Sequence, residues 1–141
     1  MNKNGCKGFS TVRIFILTAI LSFSLSAVNT SDSPYGINVH LAPDAVLGKV
    51  QSAGIKWIRV DILWRDIEVS NLNYLYGSVD RVVNYADKNG LSVLGVMAYS
   101  PTWTNSSKQY TQPPDNIALW TRFVTKTVNR YKNRVKYWSI W

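Results

Sequence analysis

Segment 91–100, LSVLGVMAYS, is apolar at almost every position and stands between Gly90 and Pro101. Such runs suit strands of a parallel sheet covered on both faces, and parallel strands need a crossover, usually a helix, between them. The rest of the chain has the crossovers. Segment 35–40, YGINVH, is a short β-like run. Segment 43–54 opens with Pro43 and Asp44, carries Val46, Leu47, Val50 and Ala53 on one helical face, and ends on Gly54. Segment 55–64, IKWIRVDILW, is β-branched and aromatic, which predicts a strand. A polar loop through Asn71, Asn73 and Gly77 leads to a helix over 78–90, with Ser78 as N-cap, a Val79, Val82, Val83, Ala86 stripe and Gly90 at its end. Beyond the strand 91–100 and a long loop, Asp115 is the expected cap of a helix over 116–133. Ile117, Trp120, Phe123, Val124, Val128 and Tyr131 fall there at helical spacing. The last segment, 135–141, VKYWSIW, alternates as a strand does.

The order β-α-β-α-β-α-β calls for parallel strands joined by right-handed crossovers. An open doubly wound sheet and a (β/α)8 barrel both use it. A dinucleotide-binding sheet would show G-x-G-x-x-G after its first strand, but GINVHLAPDAVLG stands there, and no Walker A sequence occurs. The loops after the strands are long and aromatic, which is where a barrel enzyme places its substrate site. The expected fold is therefore α/β, the N-terminal half of a (β/α)8 barrel with four parallel strands and three helices. A whole barrel needs about 250 residues and eight strands, so the chain reads as a barrel cut in the middle.

The first 27 residues do not belong to that domain. Residues 1–13 are polar and carry Lys3, Lys7 and Arg13; residues 14–25, IFILTAILSFSL, are apolar and uncharged; Ser24, Ser26 and Ala27 follow as small residues. This is the layout of a secretory signal peptide cleaved after Ser26 or Ala27, which predicts a secreted or periplasmic protein. The run is too short to span a bilayer comfortably, although a retained N-terminal anchor is the alternative. Cys6 precedes the apolar run, so no lipoprotein site is expected. Residues 28–141 then form the partial domain, without cysteine and without a disulfide. Loss of Lys3, Lys7 and Arg13 takes the net charge from +8 to +5. The densest basic stretch, NRYKNR at 129–134, reads as the dipole-favoured end of a helix, so no nucleic-acid partner is expected. Asn-x-Ser/Thr triplets occur at Asn29 and Asn105.

On the strand 55–64, Trp57, Arg59 and Asp61 share one face and Ile58, Val60 and Ile62 the other. The aliphatic face suits packing beneath helices, and the charged face points into the barrel near its C-terminal mouth. A buried arginine must be paired, so Arg59 is either a charge held for substrate or half of an ion pair with Asp61. Trp64, Tyr99, Trp103 and Trp141 lie at or just past strand C-terminal ends, where aromatic rings can pack on the flat faces of sugars. Trp57, Trp120 and Trp138 lie within elements and read as core. His40, the single histidine, ends the first strand at the same mouth, either as a substrate contact or as a structural residue. With one histidine and no cysteine after the leader, no metal or other cofactor is expected. No G-x-S-x-G supports a Ser-His-Asp triad. Glycoside hydrolysis needs two facing carboxyl groups. The one glutamate, Glu68, sits in a loop beside Asp66, and both read as solvated loop charges.

The pieces GINVH, AGIKWIRVDILWRDIE, LGVMAYSPTW and RYKNRVKYWSIW resemble the glycoside hydrolases of clan A, and most nearly members of family 39 and family 5-like members. These are (β/α)8 enzymes that cleave β-glycosidic bonds with retention. In that clan YW-x-IW on the fourth strand leads directly into Asn-Glu-Pro, whose glutamate is the acid/base, and the nucleophile lies on the seventh strand. Neither glutamate occurs in this sequence. The resemblance thus implies a secreted retaining β-glycosidase acting on poly- or oligosaccharides, truncated before its catalytic residues and inactive as this chain. It matches Arg59 to the second-strand arginine near the nucleophile. His40, Tyr99 and Trp103 match cleft positions, and Trp141 the residue before the Asn-Glu. The alternative is a carbohydrate-binding half-barrel that self-associates into an eight-stranded barrel; against it, the exposed edges of its first and fourth strands would invite aggregation.

Overall fold

A computed structural model describes residues 35–141. The leader and the triplet at Asn29 lie outside the described residues. Strand β1 (Gly36–Asn38) is followed by α1 (Asp44–Ser52), β2 (Trp57–Leu63), a short helix α2 (Trp64–Ile67), β3 (Glu68–Ser70) and β4 (Asn73–Tyr74). Then come α3 (Gly77–Lys88), β5 (Ser92–Ala98), a 3-10 turn (Thr102–Thr104), α4 (Ile117–Tyr131) and β6 (Tyr137–Ile140). β1, β2, β5 and β6 form one parallel sheet in that spatial order, and β3 and β4 pair as a separate antiparallel hairpin. Each strand of the main sheet lies beside its predecessor. A doubly wound sheet would reverse direction at a switch point, so this sequential order is that of a partial (β/α)8 barrel.

The register sorts the side chains into two faces. Ile58, Val60 and Ile62 of β2 and Val93 and Met97 of β5 are buried on the helix-covered face. Arg59 pairs in register with Leu94, Asp61 with Val96, and Leu94 with Tyr137, which sets these residues on the opposite, inner face. Two glycines are required by space. A Cβ on Gly36 would stand 2.8 Å from the Cβ of Trp57, and one on Gly95 would stand 3.0 Å from both Ile62 Cδ1 and the Trp138 ring. Trp138 can lie over the sheet because position 95 has no side chain.

The expected helices are present, with local corrections. In α1 only Leu47 and Val50 of the expected face are buried; Val46 and Ala53 face solvent. Gly54 and Gly90 follow their helices at φ 76° and 67°, where a Cβ would be strained. Ser78 does not cap α3: that helix begins one residue earlier, with Tyr76 at the cap position and no side-chain cap bond. The cap of α4 is Asn116, whose side-chain oxygen accepts from the Ala118 N–H at 3.0 Å. Asp115 instead accepts from the Ser106 N–H at 2.7 Å and ties down the preceding loop. The polar loop after β2 is a helical turn and a hairpin.

At the basic end of α4, Asn129, Arg130, Lys132 and Asn133 are exposed, and two of its arginines also bond to α3. Arg130 reaches α3 and donates to both carboxylate oxygens of Asp80, Tyr131 Oη donates to the same carboxylate at 2.8 Å, and Arg134 donates to Asn84. The Arg130 guanidinium also lies 4.7 Å from the Tyr76 ring centroid. Bonding to Arg130 holds the Asp80 pKa below its ordinary value, against the opposing effect of burial. Burial, reinforced by Asp80, pushes the Tyr131 pKa up. A carboxyl with a depressed folded-state pKa stabilises the fold above its unfolded pKa, and that contribution is lost as pH falls through the folded value. The stability gap between the wild-type protein and Asp80→Asn should therefore be full at neutral pH and shrink from about pH 4 downward. Urea unfolding at stepped pH checks this; a gap that stays constant down to strong acid would show that the Asp80 charge contributes nothing.

Candidate functional site

The C-terminal ends of the parallel strands carry the site. β1 runs out at Asn38, and His40 follows with φ 50°, a conformation that turns its ring back over β2. There the His40 ring Nδ1 hydrogen-bonds Asp61 Oδ2, and Arg59 Nη1 lies 3.5 Å from Asp61 Oδ1. A carboxylate only accepts, so Nδ1 carries the proton; Nε2 then accepts from the Asn38 side-chain amide at 3.4 Å. Asp61 is mostly buried while His40 and Arg59 are substantially exposed, so the carboxylate anchors two groups that face solvent. His40 follows β1 and Asp61 lies on β2, and the β1–β2 register brings them together.

β5 ends at Ala98, and Tyr99 follows with φ 58°. Its carbonyl accepts from the Arg65 N–H at 3.0 Å, which fixes the start of α2 to the end of β5. The Tyr99 ring meets Tyr110 edge-on at 5.3 Å and Trp141 at 5.0 Å. Trp141 continues the ladder beyond β6, its N–H donating to the Met97 carbonyl at 3.1 Å, and its side chain is exposed. These rings, with Trp120, Ile117 and Ile140, wall a cleft of about 460 Å³ in which no lining side chain is charged. A second cavity of about 550 Å³ lies on the other side of the mouth, between Leu41, Asp61, Asp66, Tyr74 and Ser78.

The expected site residues therefore divide. His40, Arg59 and Asp61 form one cluster, and Tyr99 and Trp141 form another. Trp64 is corrected: it is fully buried, its ring stacked on Phe123 at 5.4 Å, and it offers no surface to a ligand. Trp103 is on the rim but lines neither cavity; its Nε1 donates to the Glu68 carbonyl at 3.1 Å, and its ring meets Trp64 edge-on. Trp120, expected in the core, is half-buried and walls the cleft. Trp57, also expected in the core, lies half-buried on the inner face, edge-on to Tyr137 at 4.8 Å.

Glu68 is the largest correction. It is not a solvated loop charge but is fully buried. Its carboxylate accepts from Trp64 Nε1 at 2.7 Å, from the Leu72 N–H at 3.0 Å and from Arg122 Nη2 of α4 at 2.5 Å. Burial disfavours the Arg122 charge, but Glu68 outweighs that and raises its pKa. Burial, with help from Glu68, also raises the pKa of Tyr74. A carboxylate so held is a structural anchor, not an acid or nucleophile awaiting substrate. The four-residue spacing of Trp64 and Glu68 was a legible sign of contact on a helical turn. The triplet at Asn105 is also structural: Asn105 is buried, donates to the Gln109 carbonyl and accepts from Ser107 Oγ and the Gln109 N–H. Arg65 and Tyr110 had no marker in the sequence, because their meeting depends on the loop after β5 folding back over α2.

Parallel strands in sequential order, with charged and aromatic side chains gathered at their C-terminal ends, define part of a (β/α)8 barrel. The model of the cellulase family, glycosyl hydrolase family 5, matches residues 8–138. The chain belongs to that family and is a glycoside hydrolase by descent. Its fold is similar to that of a family 39 glycoside hydrolase from the gut symbiont Bacteroides cellulosilyticus WH2, at 23% identity and a TM-score of 0.63 over 75% of this chain and 24% of that one. It is also similar to the β-glycosidase BGL167, at 16% identity and a TM-score of 0.52 over 67% of this chain and 24% of that one. The chain thus spans about a quarter of the length of each structure. No curated protein sequence matches it.

Proposed function

We propose that this chain contributes the N-terminal half of the catalytic barrel of a secreted retaining β-glycosidase, which hydrolyses O-glycosidic bonds in polysaccharides or oligosaccharides. The observation that supports this best is the shared location of the His40–Asp61–Arg59 cluster and the Tyr99–Trp141 cleft at the C-terminal ends of neighbouring strands. Sugars offer hydroxyls to the first and flat C–H faces to the second. In this reading His40, Arg59, Asp61, Tyr99, Trp103 and Trp141 contact or border the saccharide. The acid/base and the nucleophile come from outside residues 35–141, because the glutamate within them is buried and fully bonded. The leader, residues 1–27, directs export and is removed.

The test is hydrolysis of an aryl β-glycoside and of cello-oligosaccharides by a whole barrel that contains residues 28–141, with NMR following the configuration of the first product. Turnover with retention is the expected result, and Arg59→Ala should lower kcat/KM by at least about 10-fold, the loss of one charged hydrogen bond. Turnover with inversion, or activity untouched by that substitution, would defeat the reading. Residues 28–141 alone should show no turnover. A second reading, a self-associating carbohydrate-binding half-barrel, is favoured by the inner face, where Tyr137 is 55% exposed beside Trp57. Sedimentation of the chain with and without cello-oligosaccharide separates the two readings, since the second requires a saccharide-binding dimer without hydrolysis.

A further inference from the structure

We propose that Arg65 is an anion-binding residue at the rim of the aromatic cleft, and that it takes the carboxylate of a uronate-type sugar in a saccharide lying on Tyr99, Tyr110 and Trp141. The proposal deepens the saccharide reading of the cleft and rests on it.

Arg65 is held unusually well for a residue at a rim. Its N–H is bonded to the Tyr99 carbonyl at 3.0 Å. Its guanidinium carbon lies 5.0 Å from the Tyr99 ring centroid and 4.5 Å from that of Tyr110. The two rings meet at 89°, so the guanidinium sits in the angle between them. Both contacts are of the cation–π kind and hold the planar group in place while leaving its edge open.

What that edge does sets Arg65 apart. Each of the other five described arginines turns a terminal nitrogen onto a side-chain oxygen, as Arg81 does onto Asp44 and Arg130 onto Asp80. Arg65 makes its one carboxylate contact through Nε, to Asp66 at 3.3 Å. Among the described residues neither of its terminal nitrogens has a side-chain partner, and the side chain keeps 34% exposure. A guanidinium with fixed faces and two free terminal nitrogens is pre-organised for a planar two-oxygen anion, which it binds through paired N–H···O bonds. The fork is a single positive charge with no lysine beside it, and Asp66 at 3.3 Å from Nε already offsets part of that charge. That fits a carboxylate better than a doubly charged phosphate.

The location selects the ligand. The two rings that hold Arg65 are also walls of the cleft, and no cleft-lining side chain carries a charge that would repel or capture an anion. A saccharide packed on those rings would bring a C6 carboxylate over the rim to the fork. A neutral hexose in the same place would leave the fork hydrated.

The test is calorimetric binding, to the 141-residue protein, of cellotetraose and of the β-1,4-linked tetraglucuronate that differs from it only in oxidation at C6. A sulfated cellotetraose is the third ligand. The expected result is tighter binding of the tetraglucuronate by the wild type, a preference that fades as salt is raised to about 0.5 M. Arg65→Gln should weaken the tetraglucuronate by about 10-fold, the scale of a lost charged hydrogen bond, and change cellotetraose less than about 2-fold. If Arg65→Gln lowers the melting temperature, Arg65→Lys carries the test. It keeps the charge and loses the fork, and should still lose several-fold on the acid alone. Equal losses on acid and neutral ligands, or no acid preference in the wild type, would overturn the subsite and leave the cleft reading standing. Tighter binding of the sulfated ligand would overturn the assignment to a carboxylate. Failure of every tetrasaccharide to bind would overturn the cleft reading and the subsite together.

Discussion

Replacing Trp64 with alanine should lower the unfolding free energy of the protein by about 3–5 kcal/mol, the range for a fully buried tryptophan truncated in a core. Trp64 is fully buried, stacks on Phe123 at 5.4 Å, and has Trp120 and Trp103 against it at 5.4 and 6.4 Å. Its loss leaves a cavity at the junction of β2, α2, α4 and the loop after β5. It also removes the Nε1 donor that Glu68 accepts from at 2.7 Å. Trp64→Phe separates the two effects, because the ring remains and the donor does not. Its cost should be about 1–3 kcal/mol, the penalty of leaving a buried acceptor short of a partner. Urea unfolding measures both. A cost below 1 kcal/mol for the alanine variant would mean that the surrounding rings close the gap, and that this junction does not hold the mouth in place.

Removing Arg122 should be comparably severe. Arg122→Met leaves the Glu68 carboxylate buried with only the Trp64 and Leu72 donors. Breaking one side of a buried ion pair costs about 3–5 kcal/mol. The Arg122 side chain is itself one-third exposed, which places the expected value near the lower end. Glu68→Gln should restore part of the loss in the double variant, since the uncompensated charge goes with it. A coupling of about 1–3 kcal/mol in the double-mutant cycle is the expected outcome. Strict additivity would show that the pair contributes nothing as a pair.

These two sites also mark where sequence reasoning stopped. The alternation of strand and helix, the aliphatic face of β2, the α3 stripe and the glycines at positions 54 and 90 were legible, because each is a local pattern with a period or a required backbone angle. Segment 91–100 announced a strand of the parallel sheet; helices cover one of its faces, and Leu94 on the inner face is only half-buried. The burial of Trp64 and Glu68 was not legible. Trp64 stands at a strand end and Glu68 in a polar stretch, and each would face solvent if nothing passed over it. What passes over it is α4, which begins 49 residues after Glu68 in the chain and carries Arg122, 54 residues after it.

The candidate site divides in the same way. The sequence determined that Arg59 and Asp61 share a strand face and that His40, Tyr99 and Trp141 end strands, because side-chain alternation is a property of the strand itself. Long-range packing alone turns His40 back onto Asp61, brings Tyr99 to Trp141 and lodges Arg65 between two tyrosines. Those contacts join residues on neighbouring strands and loops. Their geometry follows from strand register and from backbone conformations at positive φ, and neither is written in any local pattern of apolar and polar residues.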